Sequence, residues 1–184
     1  MVQNAKVSAS AKTLFAKIED IDEIPSVAKP RTLKADLRPY QKDGFSWLVF
    51  LHELNSGGIL ADDMGLGKTL QTIAHLLLEK VSGRMNLPSL VVAPTSLVGT
   101  WQRELAKFAP DLGVVVVHGP KRASAYTRIS DADVVITTYP IAVRDEDKLA
   151  EQAFHLLLLD EAHTIKNSRS RAHQVMKRLD ARHR

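Results

Sequence analysis

A glycine-rich turn that follows a short apolar run limits the possible folds of this chain more than any other feature. The run at 58–61 has the composition of a short buried strand, and the turn after it ends in Gly67–Thr69. Because glycine has no Cβ, Gly65 and Gly67 would let successive backbone N–H groups converge on a phosphate group at the N-terminus of a following helix. The pattern predicts a strand, a phosphate-binding loop and a helix in immediate succession.

Two side chains at the end of this loop have the chemistry that a nucleotide needs. The Lys68 ammonium would reach the β- and γ-phosphates, and the Thr69 hydroxyl would hold Mg²⁺. The usual spacing puts a glycine where this chain has Asp62, and a Gly-Lys-Thr sequence can also occur by chance in a surface turn. Apolar residues at helical spacing after the loop favour the phosphate-binding interpretation. The residues predicted to bind nucleotide here are Asp62, Asp63, Met64, Gly65, Leu66, Gly67, Lys68 and Thr69.

The composition excludes several classes of protein. A chain of 184 residues with 45% hydrophobic and 25% charged residues can form one ordinary globular domain. The formal charge of +4 permits nucleic-acid binding without requiring it. Cysteine does not occur, which excludes disulfides, thiolate zinc sites and thiol catalysis. The segment Met1–Asp20 has no apolar signal core and no run is long enough to span a bilayer, so we expect a cytoplasmic protein.

Apolar runs alternate with helical patterns along most of the chain. The runs are continuous rather than alternating in polarity, which is typical of parallel strands covered on both faces. The sequence therefore predicts a doubly wound α/β domain with a mostly parallel sheet and helices on both faces. The predicted strands are 58–61, 89–93, 113–117, 133–137 and 154–159, and the predicted helices are 68–82, 97–108, 121–129 and 140–150.

The chain before residue 37 differs from the rest. Residues 5–18 can form a short helix, and the acidic, proline-containing segment 19–36 favours a linker laid over the surface. A further helix is expected from Pro39 to the glycines at 57 and 58. Its predicted buried face consists of Trp47, Leu48, Leu51 and Leu54. We divide the chain into an N-terminal helix and linker, 1–36, and a main domain, 37–184.

Two adjacent acids follow the last predicted strand. Asp160 and Glu161 would lie at the carboxyl end of a buried strand, the edge where open α/β sheets bind ligands. Asp160 would hold Mg²⁺ opposite Thr69, and Glu161 would orient or deprotonate the water that attacks the γ-phosphate. An acid pair at a helix N-terminus is the alternative, because the helix dipole also favours it there. His163 could sense the γ-phosphate or could simply be a polar surface residue.

Other polar residues near the same edge have two interpretations each. The Gln41 amide could pair with the adenine N6/N7 edge, or could belong to an ordinary helix residue. Thr95 and Ser96 follow one strand, and Thr138 and Tyr139 end another. Their hydroxyl and N–H groups could cap helices or could hold nucleic-acid phosphates.

Taken together, these motifs resemble the SWI/SNF-like branch of the superfamily 2 helicase-like ATPases. Members of this branch commonly carry an acid at the position of Asp62, and the Ile165–Asn167 sequence separates the branch from the DEAH-box RNA helicases. The sequences of these motifs most resemble those of bacterial members of the family. The matching motifs are Leu37–Gly44, Asp62–Thr69, Val92–Leu97 with Trp101, Ile136–Tyr139, Asp160–His163 and Ile165–Asn167.

The resemblance implies the first RecA-like lobe of a DNA-stimulated ATPase that uses ATP and Mg²⁺. It implies that Lys68, Asp160 and Glu161 act in catalysis, that Gln41 and His163 contact the nucleotide, and that Lys166 contacts nucleic acid. Duplex DNA, a second lobe in the same protein and RNA polymerase or another DNA-bound protein are the expected partners. The expected location is the bacterial cytoplasm, at the nucleoid.

The resemblance also implies that part of the catalytic machinery is missing. The chain ends before the family's Thr-Gly-Thr-Pro-like motif, so we expect a truncated lobe without the arginine fingers of the second lobe. Such a fragment should bind nucleotide better than it hydrolyses it. The alternatives are a lobe of a DEAH-type RNA helicase and a nucleotide-binding interaction module that does not hydrolyse ATP.

Overall fold

Five parallel strands form the centre of the molecule in a computed structural model that describes residues 23–63 and 65–184. The order across the sheet is β2–β3–β1–β4–β5, where each neighbouring pair is parallel. The predicted mostly parallel sheet is thereby confirmed. The strands are β1 (Ser89–Ala93), β2 (Val114–Val116), β3 (Val134–Thr138), β4 (Ala153–Leu159) and β5 (Asp180–His183).

Helices cover both faces of this sheet. In the described residues, none of them is both long enough and apolar enough to cross a bilayer. Short 3₁₀ turns lie at Thr95–Leu97, Ile129–Asp131 and Ala162–Ile165. The helices are α1 (Pro39–Glu53), α2 (Lys68–Val81), α3 (Val98–Phe108), α4 (Ala123–Tyr126), α5 (Tyr139–Arg144), α6 (Glu146–Ala150) and α7 (Arg171–Arg178).

The central strand β1 shows why the strand sequences are continuously apolar. Val91 and Ala93 belong to the core beneath α1, α2 and α3, whereas Leu90 and Val92 belong to the core on the opposite face. Successive side chains of a strand point to opposite faces, so a strand with cores on both sides needs apolar residues at every position. All five residues of β1 are buried.

The predicted strand at 58–61 is not formed. This segment has no regular secondary structure, and the Ile59 side chain is 82% exposed. A strand needs a row of hydrogen bonds to a neighbour, and the described residues supply one bond of this kind, from the Gly58 N–H to the Arg184 carbonyl at 3.3 Å. The apolar run indicated a strand, but the segment lies beside the end of β5, where the ladder stops.

Several other boundaries differ from the sequence predictions. The predicted helix 121–129 is a single turn followed by a 3₁₀ turn, and the predicted helix 140–150 divides at Asp145 into α5 and α6. Helix α7 and strand β5 were not predicted. On α1 the buried apolar residues are Phe45 and Val49, whereas the four residues predicted to be buried there are only half-buried.

The segment before α1 lies closer to the core than a surface linker would. Leu33 is buried among core residues, the Lys34 N–H donates to the Phe108 carbonyl at 2.8 Å, and the Val27 N–H donates to Ser46 Oγ at 3.0 Å. The predicted helix at 5–18 lies outside the described residues.

A buried carboxylate connects α2 to the sheet. Glu79 is fully buried, and its Oε2 lies 3.2 Å from Nε2 of both His52 and His155. Arg84 forms an ion pair with the same carboxylate, with Nε 3.1 Å from Oε2. Burial alone would raise the pKa of Glu79, but the hydrogen bonds from His155 and Arg84 lower it to about 2. These partners satisfy the carboxylate, and they connect α2 to α1 through His52 and to β4 through His155.

Candidate nucleotide-binding and catalytic site

The predicted phosphate loop ends in backbone that only glycine adopts easily. Gly65 has φ 83° and Gly67 has φ 79°, and α2 begins at the next residue, Lys68. Left-handed φ values cost other residues about 1–2 kcal/mol, so these glycines are required by the turn itself. The helix N-terminus behind them presents unpaired N–H groups, the usual basis of phosphate binding. Met64, also predicted to bind nucleotide, lies outside the described residues.

The Lys68 ammonium lies over the loop rather than against an acid. Its Nζ donates to the carbonyl oxygen of Asp62 at 2.6 Å and to that of Asp63 at 3.0 Å. Within the described part of the chain, no carboxylate forms an ion pair with it. A cation held only by neutral carbonyls has an uncompensated charge, which suits an incoming phosphate. Thr69 follows in the first turn of α2 and is half-buried.

Gln41 contacts the loop through an amide with both ends in use. Its Nε2 donates to the Leu66 carbonyl at 3.0 Å, and its Oε1 accepts from the Arg38 N–H at 3.0 Å, which caps α1. A Cβ added at Gly67 would lie 2.4 Å from Gln41 Nε2. Each end of the amide keeps one further hydrogen-bonding position, so the pairing with adenine stays a prediction. In this structure Gln41 fixes the loop against α1.

The Asp62 side chain contacts Gln71, a residue that the sequence motifs did not indicate. Its Oδ2 accepts a hydrogen bond of 3.1 Å from Nε2 of Gln71, one turn into α2. The carboxylate is thus oriented by the helix that follows the loop. Gln71 is fully buried, and His75 and Glu79, one and two turns further along α2, are buried polar residues as well.

The acid pair lies where three strand ends meet. Asp160 follows β4, and its N–H donates to the Val92 carbonyl of the neighbouring strand β1 at 2.9 Å. Its Oδ1 accepts from the Glu161 N–H at 2.9 Å, and its Oδ2 accepts from Trp101 Nε1 at 2.8 Å. Its carbonyl accepts from the Tyr139 hydroxyl at 2.7 Å. Neither Trp101 nor the Tyr139 hydroxyl was predicted to contact this acid.

Glu161 has an unusual backbone for a non-glycine residue. Its φ and ψ are 50° and 49°, and it precedes a 3₁₀ turn rather than an α-helix, so the acid pair does not stand at the N-terminus of a regular helix. A non-glycine residue in the left-handed region is typical of functional sites. Its Oε2 lies 3.1 Å from Nδ1 of His163, and both side chains reach solvent.

Burial changes the electrostatics around Asp160. Burial raises the pKa of the Glu104 carboxyl, and the negative charge of Asp160 raises it as well. The positive charges of Lys107 and Arg103 act in the opposite direction. The pKa of the Tyr139 hydroxyl is raised by burial and then by the charges of Asp160 and Glu161. Tyr139 therefore stays protonated and remains a hydrogen-bond donor throughout the physiological pH range.

The five residues predicted to contact nucleic acid divide into two groups. Thr95, Ser96 and Lys166 are exposed, and the described residues show no cap formed by either hydroxyl, so the capping interpretation of Thr95 and Ser96 is wrong. Thr138 is 1% exposed and its Oγ1 accepts from the Ile141 N–H, which makes it the cap of α5. Tyr139 is also buried. The predicted phosphate contacts by these two side chains are therefore contradicted by their burial.

The residues of the site fit a magnesium nucleotide by their donor chemistry. Thr69 and Asp160 offer the hydroxyl and carboxylate oxygens that Mg²⁺ prefers. Each Asp160 oxygen accepts a single hydrogen bond from the described residues, which leaves lone pairs for a cation. The left-handed glycines and the uncompensated charge of Lys68 fit the phosphates.

Comparison with known proteins gives the same assignment. A model of the SNF2-related domain matches residues 40–184. The chain is 41% identical over 180 residues to YwqA of Bacillus subtilis, which is named as an ATP-dependent helicase/translocase, and this match covers 96% of the chain and 20% of that protein. It is 40% identical over 162 residues to the ISWI chromatin-remodeling complex ATPase ISW2 of Saccharomyces cerevisiae, with 85% of the chain and 14% of that protein covered.

A solved structure extends the comparison to the fold. The Sulfolobus solfataricus SWI2/SNF2 ATPase core in complex with dsDNA matches with a TM-score of 0.80 and 42% identity, over 85% of this chain and 32% of that chain. The chain thus spans about a fifth of the bacterial relative and about a third of the archaeal core. The chain belongs to the SNF2-related domain family, and it corresponds to the N-terminal RecA-like lobe of a SWI2/SNF2 ATPase core.

Proposed function

We propose that this chain is the ATP-binding lobe of a DNA-stimulated ATPase that moves along duplex DNA and remodels protein–DNA complexes. The observation that carries the proposal is a glycine turn followed by an uncompensated Lys68 at the start of α2. The acids Asp160 and Glu161, which follow strand β4 at the carboxyl edge of the sheet, would complete the site. Family membership supports ATP dependence, since relatives are named as ATP-dependent enzymes. Residues 37–184 would form this lobe, and the segment 1–36 would precede it, with Val27 and Leu33 packed into its core.

The residues divide the chemistry between binding and hydrolysis. Lys68 would leave the carbonyl oxygens of Asp62 and Asp63 and donate to the β- and γ-phosphates. Thr69 and Asp160 would hold Mg²⁺, which, when bound, neutralises charge that develops on the phosphate oxygens. Glu161 would accept a proton from the attacking water or orient it, and His163 would hold the Glu161 carboxylate at the 3.1 Å contact seen here.

Contacts to DNA would be made to the backbone rather than to the bases. The exposed side chains of Thr95, Ser96 and Lys166 offer two hydroxyls and an ammonium, which suit phosphate oxygens. The archaeal relative was solved with duplex DNA, which favours DNA over RNA as the substrate. Such binding should be sensitive to salt, with log K falling by about 0.9 per phosphate contact for each tenfold rise in salt.

The chain alone should bind nucleotide and hydrolyse it poorly. The family uses a second lobe whose arginine fingers contribute ~10³–10⁵ in rate. This chain spans about a third of the archaeal ATPase core. Full activity, interaction with RNA polymerase or another DNA-bound protein, and a nucleoid location in the bacterial cytoplasm would therefore be properties of the full-length protein.

Steady-state ATP hydrolysis by the full-length protein tests the proposal. We expect hydrolysis to be slow alone and to rise on addition of duplex DNA, with a smaller effect of duplex RNA. If RNA stimulates more strongly, the RNA-helicase alternative is correct. If neither nucleic acid changes the rate while ATP still binds, the chain is a nucleotide-binding interaction module.

A further inference from the structure

Asp160 is connected to the outer surface of the site through one side chain. Helix α3 begins directly after the 3₁₀ turn Thr95–Leu97, and Trp101 lies one turn into that helix. The hydroxyl side chains of Thr95 and Ser96 are exposed, whereas Trp101 is buried and contacts Asp160 Oδ2 at 2.8 Å. A short rigid path of about one and a half helical turns therefore joins the surface to the carboxylate.

The chemistry of this contact makes it sensitive to position. An indole N–H is a donor only, and a buried one needs an acceptor, so Trp101 and Asp160 depend on each other. Hydrogen bonds weaken steeply as their angle departs from linearity. A small displacement of α3 along its axis would therefore change the orientation of the Asp160 carboxylate.

Tyr139 holds the same residue by a different atom. Its hydroxyl donates to the Asp160 carbonyl, not to the carboxylate, and Tyr139 is the first residue of α5 and is buried in the core on that face of the sheet. The Asp160 N–H is also fixed, by the Val92 carbonyl of β1. The backbone of Asp160 is thus held at both ends. Its carboxylate is held at Oδ1 by the Glu161 N–H, the next residue in the chain, and at Oδ2 by Trp101, the one described partner from another element.

We propose that Trp101 is a positioning residue that couples nucleic-acid contact at the Thr95–Leu97 turn to the metal-binding geometry of Asp160, while Tyr139 anchors the Asp160 backbone. The proposal rests on the function proposed above. Contact of a phosphate with Thr95 or Ser96 shifts the start of α3, and the Trp101 N–H transmits that shift to Oδ2. Because such coupling is reciprocal, DNA tightens metal binding by the same factor that bound metal tightens DNA binding.

Metal binding by the full-length protein tests this coupling without any turnover. Mn²⁺ is titrated by electron paramagnetic resonance in the presence of a non-hydrolysable ATP analogue, with and without a duplex DNA of mixed sequence. The quantity compared is the ratio of the Mn²⁺ dissociation constants without and with DNA. Wild-type protein should give a ratio well above one, and Trp101→Phe should lower it by about tenfold, the factor associated with a hydrogen bond to a charged acceptor.

Matched variants separate coupling from simple packing. Trp101→His introduces a ring of similar size to phenylalanine that keeps an N–H donor, so it should recover part of the lost ratio. Tyr139→Phe should weaken Mn²⁺ binding equally with and without DNA, which leaves the ratio unchanged. Trp47→Phe and Tyr126→Phe make the same replacements elsewhere in the chain, and both should retain the wild-type ratio. The Tyr126 hydroxyl also donates a hydrogen bond, to Asp145 at 2.9 Å, so its loss is a matched control for Tyr139→Phe.

The outcomes distinguish this inference from the proposed function. A wild-type ratio that survives in Trp101→Phe overturns the coupling, as does an equal loss of Mn²⁺ affinity with and without DNA. If Trp101→Phe and Trp101→His give equal ratios that are both lower than the wild-type ratio, the lost ring volume causes the change. That result would also overturn the coupling through the Trp101 N–H. If DNA stimulates hydrolysis in the wild type while the coupling fails, the proposed function stands alone. If DNA has no effect on hydrolysis, both fail.

Discussion

The Gln71 side-chain amide donates a 3.1 Å hydrogen bond to the Asp62 carboxylate, which joins the first residue of the phosphate loop to the helix that follows it. The backbone carbonyl of the same aspartate accepts from Lys68. Asp62 therefore holds both ends of the loop, which gives a structural reason for an acid where phosphate loops usually have glycine. Space is tight on the other side of Gln71, because a Cβ added at Gly44 would lie 2.0 Å from its Oε1.

Replacing Asp62 should weaken nucleotide binding more than folding. Asp62→Ala removes the acceptor of Gln71 and leaves a buried amide unpaired, at a cost of about 1–3 kcal/mol to the ordered loop. We expect the affinity for a fluorescent ATP analogue to fall by roughly tenfold. Asp63→Ala is the control, because the loop uses the Asp63 backbone carbonyl and that remains. Equal losses in both variants would show that loop charge, and not the Gln71 contact, determines affinity.

Gly67 and Gly83 form a matched pair for testing the role of Gln41. Both have left-handed φ values, 79° and 73°, so alanine should cost each about 1–2 kcal/mol of backbone strain. A Cβ at Gly67 would also meet Gln41 Nε2, whereas nothing lies within 4 Å of one at Gly83. Gly67→Ala should therefore abolish nucleotide binding. Gly83→Ala should lower the unfolding free energy and leave nucleotide binding unchanged. Calorimetric titration with ATP and urea unfolding measure the two effects, and nucleotide binding by Gly67→Ala at wild-type affinity would contradict the account.

The stability of the fold should decrease on acidification through the histidines around Glu79. Burial lowers the pKa of His52 and of His75 from 6.5 to about 4, against the opposing charge of Glu79. Between these values the unfolded chain binds protons that the folded chain does not, so the unfolding free energy falls as the pH decreases from 6.5 to about 4. Denaturant titration across this range measures the slope.

A variant assigns this slope to one residue. His75→Gln should reduce the dependence of stability on pH between 6.5 and about 4, because one group that must stay neutral in the folded state is gone. The Glu79 carboxyl adds a second decrease at lower pH, between its ordinary 4.5 and about 2. A wild-type unfolding free energy that stays constant from neutral pH to about 4 would show that the histidines are not desolvated as the structure indicates.

The sequence predicted those parts of the fold that depend on local pattern. Strand β1 was predicted residue for residue, because a strand with cores on both faces is apolar throughout and is ended by Pro94. The segment 58–61 has an equally apolar sequence, yet it is irregular, since a strand also needs a partner that its own residues do not specify. Strand β5, rich in polar residues, gave no apolar signal at all.

The site was predictable where a motif carries the chemistry and not where distant residues meet. The loop glycines have left-handed φ values directly before α2, and the acid pair directly follows β4. The Trp101 contact to Asp160 spans 59 positions of sequence, and no local pattern identifies a tryptophan as the partner of one particular acid. Gln41 and Thr138 each had two interpretations from the sequence, a ligand contact and a structural role, and the folded chain uses both side chains in helix caps.

The role of Glu161 in ATP hydrolysis is tested by the Glu161→Gln variant of the full-length protein, measured for both ATP binding and ATP hydrolysis in the presence of duplex DNA. Glutamine keeps the shape of the side chain but cannot accept the proton of the attacking water. We expect hydrolysis to fall by roughly a hundredfold or more while ATP affinity changes by less than about twofold. Hydrolysis at the wild-type rate, or a loss of ATP binding as large as the loss of turnover, would contradict the proposed role of Glu161.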